Sequence, residues 1–169
     1  MKRIFTILCT LVLCIGLVGC SPKKPFEMKE ITATQLQKKL DKKESFVVIV
    51  ERDNCPYCEA IQEYIKKTKD EHPNLVLYKI DTTEYGFTKM DDGSNQLQSS
   101  TKDGKILLDM AHYFLYTPTM YVIQKGEAKH VASGYSETDH TVSLWDVDSV
   151  IDFENADTQD FWEFLETYE

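Results

Sequence analysis

Two cysteines separated by two residues, Cys55-Pro56-Tyr57-Cys58, are the part of this 169-residue chain best suited to chemistry. At this spacing one sulfur can attack a disulfide and the other can resolve the mixed intermediate, given a thiolate, a near neighbour and access. The same spacing occurs in zinc sites, so the pair alone leaves two chemistries open. The histidines at 72, 112, 130 and 140 are scattered, and no two have the spacing of a zinc-binding couple. A purely structural crosslink is disfavoured, because so short a loop removes little entropy from the unfolded chain. The expectation is a redox pair that needs no metal and no organic cofactor.

The thiolate needs a source. Pro56 suits the first position of a helix, which places Cys55 where backbone N–H groups are unpaired and the dipole favours an anion. A helix end contributes roughly 0.3–2 kcal/mol, too little for an extremely acidic thiol. The neighbours are mixed: Arg52 favours the anion, whereas Glu51, Asp53 and Glu59 oppose it. A moderately activated Cys55 is expected. Glu51 is the nearest carboxylate for proton transfer, although a glutamate at a strand end is ordinarily solvated.

The elements that hold the pair are legible in outline. Thr32 to Gln35 fits a capping box, with a helix over about 33–42. Phe46 to Val50 is an unbroken apolar, β-branched run, the pattern of a strand buried on both faces. The helix begun by Pro56 carries Ile61, Tyr64, Ile65 and Thr68 on one stripe and stops before Pro73. Leu75 to Ile80 is a second strand, so strand, helix and strand imply a right-handed parallel unit. Residues 81–105 are polar and read as a surface insertion, a candidate partner-binding face. A helix is expected over about 105–114, then an antiparallel hairpin from Pro118 to Ser133 turning at Lys125-Gly126. Residues 134–156 are acidic with few helix signals. A final helix over about 158–168 carries Phe161, Phe164, Leu165 and Tyr168 on one face.

The N-terminus reads as an address. Met1-Lys2-Arg3 precedes an apolar run from Ile4 to Val18 that suits a signal better than a membrane span. Leu17-Val18-Gly19-Cys20 resembles the bacterial lipobox, which implies removal of residues 1–19 and lipidation of Cys20. Residues 20–30, with Pro22 and Pro25, then form a tether holding a domain of residues 31–169 close to the extracytoplasmic face of the membrane. Of five cysteines, Cys9 and Cys14 leave with the signal and Cys20 takes lipid. Cys55 and Cys58 remain, in a compartment that permits disulfides. The net charge of −9 argues against a nucleic-acid partner.

The order of helix, strand, Cys-Pro-Tyr-Cys helix, strand, helix, Thr117-Pro118-Thr119, hairpin and helix resembles the thioredoxin family over about residues 31–169. The resemblance implies an α/β fold, a central mixed sheet with helices on both faces. It also implies that Pro118 is cis and faces Cys55 and Cys58, that the Thr117 backbone can pair with a substrate strand, and that Pro56 and Tyr57 shape the site. Its activity would be thiol–disulfide exchange on protein or peptide substrates, with a redox partner to recycle the pair. Two departures stand out. Where many members have a buried aspartate six residues ahead of the first cysteine, this chain has Ile49; where they have tryptophan just before it, this chain has Asn54. The Pro-Tyr pair resembles glutaredoxins, without an evident glutathione motif. The segments Arg52–Cys58 and Tyr78–Thr82 also resemble Gram-positive thioredoxin-like proteins described as bacteriocin-transport accessory proteins. The competing reading is a non-catalytic lipoprotein that uses this scaffold for binding.

Other constellations are weaker. Asp146, Asp148, Asp152, Glu154 and Asp157 lack the glycine and spacing of a calcium loop and read as a solvated acidic segment. Tyr113, Phe114 and Tyr116 read as core and site wall, and Trp145 and Trp162 as packing residues.

Overall fold

The computed structural model describes residues 22–93, 96–111, 113 and 116–168. Cys20 and the signal segment lie outside them, as do His112 and Phe114. The chain runs β1 (Glu27–Glu30), α1 (Ala33–Asp41), β2 (Phe46–Glu51), α2 (Pro56–Thr68), β3 (Val76–Asp81), β4 (Phe87–Lys89), β5 (Leu97–Ser99), α3 (Lys102–Met110), β6 (Thr119–Gln124), β7 (Glu127–Ser133), β8 (Thr141–Trp145), β9 (Thr158–Asp160) and α4 (Phe161–Tyr168). Seven strands make one mixed sheet in the order β1-β3-β2-β6-β7-β8-β9, and β4 and β5 form a separate hairpin. Both β1 and β2 lie parallel to β3; the other neighbours are antiparallel. This is the thioredoxin-like α/β architecture that the sequence implied. No helix among the described residues is long and apolar enough to cross a membrane.

The β2 strand is buried along its whole length, which is why its residues show no polar alternation. Its side chains divide between two cores. Val47 and Ile49 pack with Ile61 and Ile65 of α2 and with Phe161, Trp162, Phe164 and Leu165 of α4. Val48 and Val50 pack with Leu36 of α1 and Leu107 of α3. Helices therefore cover both faces of the sheet. At the start of α1, Thr32 and Gln35 make the reciprocal capping bonds expected from their spacing.

Four expectations need correction. Glu27–Glu30, expected in the tether, pairs with Val76–Lys79 as the first strand, so the folded unit begins before residue 31. Lys24 is already pinned: its N–H donates to Asn74 Oδ1 at 2.9 Å and its carbonyl accepts from the Asn74 N–H at 2.7 Å. A four-residue strand with a glutamate at each end has no apolar pattern to reveal it. The helix expected over 105–114 runs Lys102–Met110, because Thr101 caps it by accepting from the Gly104 N–H at 3.0 Å. Gly104 is there for close packing: a Cβ would lie 2.4 Å from the Tyr85 carbonyl oxygen. The expected insertion is thus a β-hairpin followed by the first turn of this helix.

The acidic stretch 134–156 contains β8, whose Val142 faces the core. Residues 158–160, expected as helix, add β9 to the sheet edge. Asp160 then ends that strand by accepting the N–H groups of Trp162 and Glu163 at 2.8 and 3.0 Å, which starts α4 at Phe161.

Candidate functional site

Cys55 is the N-cap of α2, in extended conformation, with Pro56 at the first helical position. Cys58 lies in the first turn. The two are joined as a disulfide with Cα atoms 5.2 Å apart. The N–H of Cys58 donates both to the Cys55 carbonyl at 3.0 Å and to Cys55 Sγ at 3.2 Å, so an amide of the helix start points at the sulfur as the spacing implied.

The loop before β6 meets this sulfur from the opposite side. The Thr117–Pro118 peptide is cis. The Thr117 carbonyl oxygen is 3.3 Å from Cys55 Sγ, and the Thr117 hydroxyl donates to that sulfur at 3.5 Å. Arg52 Nε in turn donates to Thr117 Oγ1 at 3.2 Å. The sequence marked Arg52 as a favourable charge and Thr117 as a backbone partner. The structure joins them in a relay, cation to hydroxyl to sulfur, that no spacing rule could reveal. Once the pair is reduced, the hydroxyl and the Cys58 N–H both stabilise a thiolate at position 55.

Thr117→Val removes one donor and keeps the shape of the side chain. Hydrogen bonds to charged groups contribute about 1.5–3 kcal/mol, and this one is long. Alkylation of the reduced protein by iodoacetamide in mildly acid buffer is expected to slow by about tenfold or less. An unchanged rate would remove the hydroxyl from the account.

The access that exchange needs is narrow. Cys55 and Cys58 are 3 % and 4 % exposed. Cys55 nevertheless lines an open cleft of about 860 Å³, together with Arg52, Tyr57, Tyr116, Thr117 and the hairpin residues Phe87 and Lys89. Tyr57, 58 % exposed, stands at its mouth. The polar segment that the sequence offered as a partner face thus forms one wall of the cleft that Cys55 lines.

Glu51 is also a correction. It is 4 % exposed rather than solvated. Its Oε1 accepts from Gln62 Nε2 at 2.7 Å, and its Oε2 lies 3.3 Å from Lys79 Nζ. Burial pushes its pKa above the ordinary 4.5, against the lowering effects of Gln62 and Lys79. Gln62 lies one turn beyond Cys58, so this buried carboxylate is tied to the redox helix.

The sign of the pH dependence follows. With a raised pKa the folded chain holds the proton more firmly than the unfolded chain does. The resulting stabilisation is complete below 4.5 and is lost as pH rises through the folded value. Urea midpoints measured from about pH 4 to 8 should therefore fall more steeply for the wild type than for Glu51→Gln. Parallel curves would show that burial does not perturb this group.

Among the described residues no three His, Cys, Asp or Glu side chains gather as a metal site. Trp162 is buried, donating through Nε1 to Thr68 Oγ1 at 2.9 Å. Trp145 is half-buried on β8 opposite Val131.

A mixed sheet flanked by helices, with a Cys-x-x-Cys pair capping one helix beside a cis-proline loop, defines a dithiol–disulfide domain of the thioredoxin class. A family model for the thioredoxin-like domain matches residues 32–144, more than half of the chain, and the chain belongs to that family. Among solved structures it is similar to a thioredoxin f2 complex with ferredoxin:thioredoxin reductase, at 13 % identity over 66 % of this chain and 86 % of that one, TM-score 0.44. It is also similar to spinach chloroplast thioredoxin f (short form), at 12 % identity over 68 % and 85 %, TM-score 0.41. Comparison with curated protein sequences gave no match. A thioredoxin-like fold with such a cysteine pair at bonding distance supports thiol–disulfide oxidoreductase activity.

Proposed function

We propose that this protein is a lipid-anchored thiol–disulfide oxidoreductase at the extracytoplasmic face of a bacterial membrane, acting on secreted or membrane proteins through Cys55 and Cys58. The observation that carries the reading is the setting of the Cys55 sulfur. It caps a helix, receives the Cys58 N–H and the Thr117 hydroxyl, and lies on the wall of an open cleft. The address rests on the lipobox-like Leu17–Cys20 segment of the sequence.

In the reducing direction, Cys55 thiolate attacks one sulfur of a substrate disulfide and the other substrate sulfur leaves as a thiolate. Cys58 then attacks the Cys55 sulfur, freeing the substrate and closing the Cys55–Cys58 bond. Two electrons pass to the substrate. The oxidising direction runs the same bonds backwards. In either case a redox partner restores the pair. Pro56, Tyr57, Thr117 and Pro118 shape the surface that the substrate meets, with the Thr117 backbone available to an extended chain.

The test is turnover of a disulfide-bonded protein substrate by the wild type and by Cys55→Ser. Loss of turnover in the variant is expected; full function of Cys55→Ser in vivo would favour a non-catalytic binding module instead. For the anchor, Cys20→Ser is expected to move the protein from the membrane fraction to the soluble one. Retention of that variant on membranes would contradict lipidation at Cys20.

A further inference from the structure

Beside the cleft that holds the Cys55 sulfur lies a second one of about 440 Å³. Tyr57, Tyr116 and Thr117 line both, so the two share a wall next to Cys55. Among the described residues, none that lines the second cleft is charged. Its floor is Tyr135, 6 % exposed, whose hydroxyl meets His140 Nδ1 at 2.8 Å. Its outer wall is Phe153, 46 % exposed and edge-on to Tyr116 with ring centroids 5.1 Å apart.

Gly134 admits that wall: its φ is +71°, and a Cβ there would come within 3.3 Å of the Phe153 ring. The Gly134 N–H donates to the Pro118 carbonyl at 2.9 Å, so the trough is anchored to the same proline loop that touches Cys55. The surroundings are acidic. Glu137, Asp139, Asp152, Glu154 and Asp157, in the segments that supply the lining, are all exposed. From Val131 to Glu169 the chain has eleven carboxylates and no lysine or arginine.

An exposed aromatic pair over an uncharged trough, with acidic neighbours, is the make-up of a recognition surface. Its shared wall with the cleft of Cys55 points to its occupant. A polypeptide whose sulfur reaches Cys55 along the proline loop runs past Thr117 and Tyr116. In an extended chain, residues two apart point to the same side, roughly 7 Å from each other. A side chain two residues from the reacting cysteine is therefore placed to enter the trough, and the carboxylates favour positive charge beyond it.

We propose that the trough walled by Tyr116 and Phe153 is a specificity subsite that selects extended, cationic segments carrying a bulky apolar side chain two residues from the reacting cysteine. This rests on the redox reading above. In the step concerned, the Cys55 thiolate attacks the substrate cysteine sulfur. The new S–S bond forms as the old one breaks, and the former partner sulfur leaves as a thiolate.

The test uses the full chain in detergent, reduced with dithiothreitol and freed of it, and short peptides whose cysteine is capped by 2-nitro-5-thiobenzoate. Attack releases the coloured thiolate, which gives the rate directly. Peptides carry phenylalanine or serine two residues before or after the cysteine, with lysine or glutamate flanks. At one of the two positions phenylalanine is expected to accelerate release about tenfold over serine, as burial of an aromatic side chain implies. Lysine flanks should react faster than glutamate flanks, with the difference shrinking as salt is added. Phe153→Ala should bring the phenylalanine-to-serine ratio close to one. Equal rates at both positions in the wild type, or a ratio unchanged by Phe153→Ala, would overturn the subsite. A small disulfide, Ellman's reagent, separates the two ideas. If it oxidises the pair while peptides are not discriminated, the subsite alone fails. If it leaves Cys55 unreacted, the redox reading fails and takes the subsite with it.

Discussion

The Cys58→Ser variant is expected to accumulate as a covalent adduct with its substrates, whereas the wild type releases them. The resolving step needs a second sulfur near the Cys55 sulfur, and Cys58 is the one bonded to it, with Cα atoms 5.2 Å apart. Serine keeps the backbone N–H that donates to Cys55 Sγ, so the attacking thiolate keeps that support. Attack therefore proceeds and release does not. Non-reducing gels of cells expressing this variant should show adducts that collapse on reduction and are absent from the Cys55→Ser, Cys58→Ser double variant. Adducts that survive in the double variant would come from other chemistry, and a complete lack of adducts would remove Cys55 as the attacking group.

The second large effect concerns the platform beneath the pair. Phe164 is fully buried, in the core where α4 meets the inner stripe of α2. Phe164→Ala leaves a cavity in the core that also holds Ile61, Ile65 and Trp162 and should cost about 3–5 kcal/mol. A natural domain has about 5–15 kcal/mol in all, so this loss is a large share of the total. With a urea slope of about 1–3 kcal/mol per molar, the midpoint should fall by roughly 2 M with the slope unchanged. Tyr57→Ala is the contrast. Tyr57 lies between the cysteines and is 58 % exposed, so its removal should shift stability by no more than about 0.5 kcal/mol. If Phe164→Ala unfolded no more easily than Tyr57→Ala, the assignment of α4 as the support of the redox helix would be wrong.

What could be read in advance, and what could not, follows from the range of the forces involved. The β2 strand and α2 were legible because their signals are local: an apolar run, then a proline at a helix start. The capping pair Thr32 and Gln35 was legible for the same reason. The Thr117-Pro118-Thr119 segment was legible through family resemblance, and its cis peptide and its contact with Cys55 follow that pattern.

The hidden parts depend on partners distant in sequence. Strand β1 exists because Lys29 and its neighbours find β3, almost fifty residues away, and nothing in Glu-Met-Lys-Glu announces it. Burial of Glu51 depends on Gln62 and Lys79 reaching it from two other elements. The Arg52–Thr117–Cys55 relay spans more than sixty residues of sequence. Phe153 sits in a stretch that reads as solvated because acidic residues surround it, yet Gly134 lets its ring close over the trough. Strand β8 was in principle readable, since Val142 and Leu144 alternate with polar neighbours. The surrounding carboxylates hid it.

The central claim is that Cys55 and Cys58 form a reversible two-electron couple, and redox titration tests it most directly. The full chain is equilibrated in glutathione buffers of graded poise, quenched with acid, and the oxidised fraction is counted by mass after thiol labelling. One transition is expected in which both thiols appear together, with a midpoint between about −270 and −120 mV, the span of known dithiol exchangers. A pair that stays bonded across all these buffers, or two thiols that label independently, would contradict it.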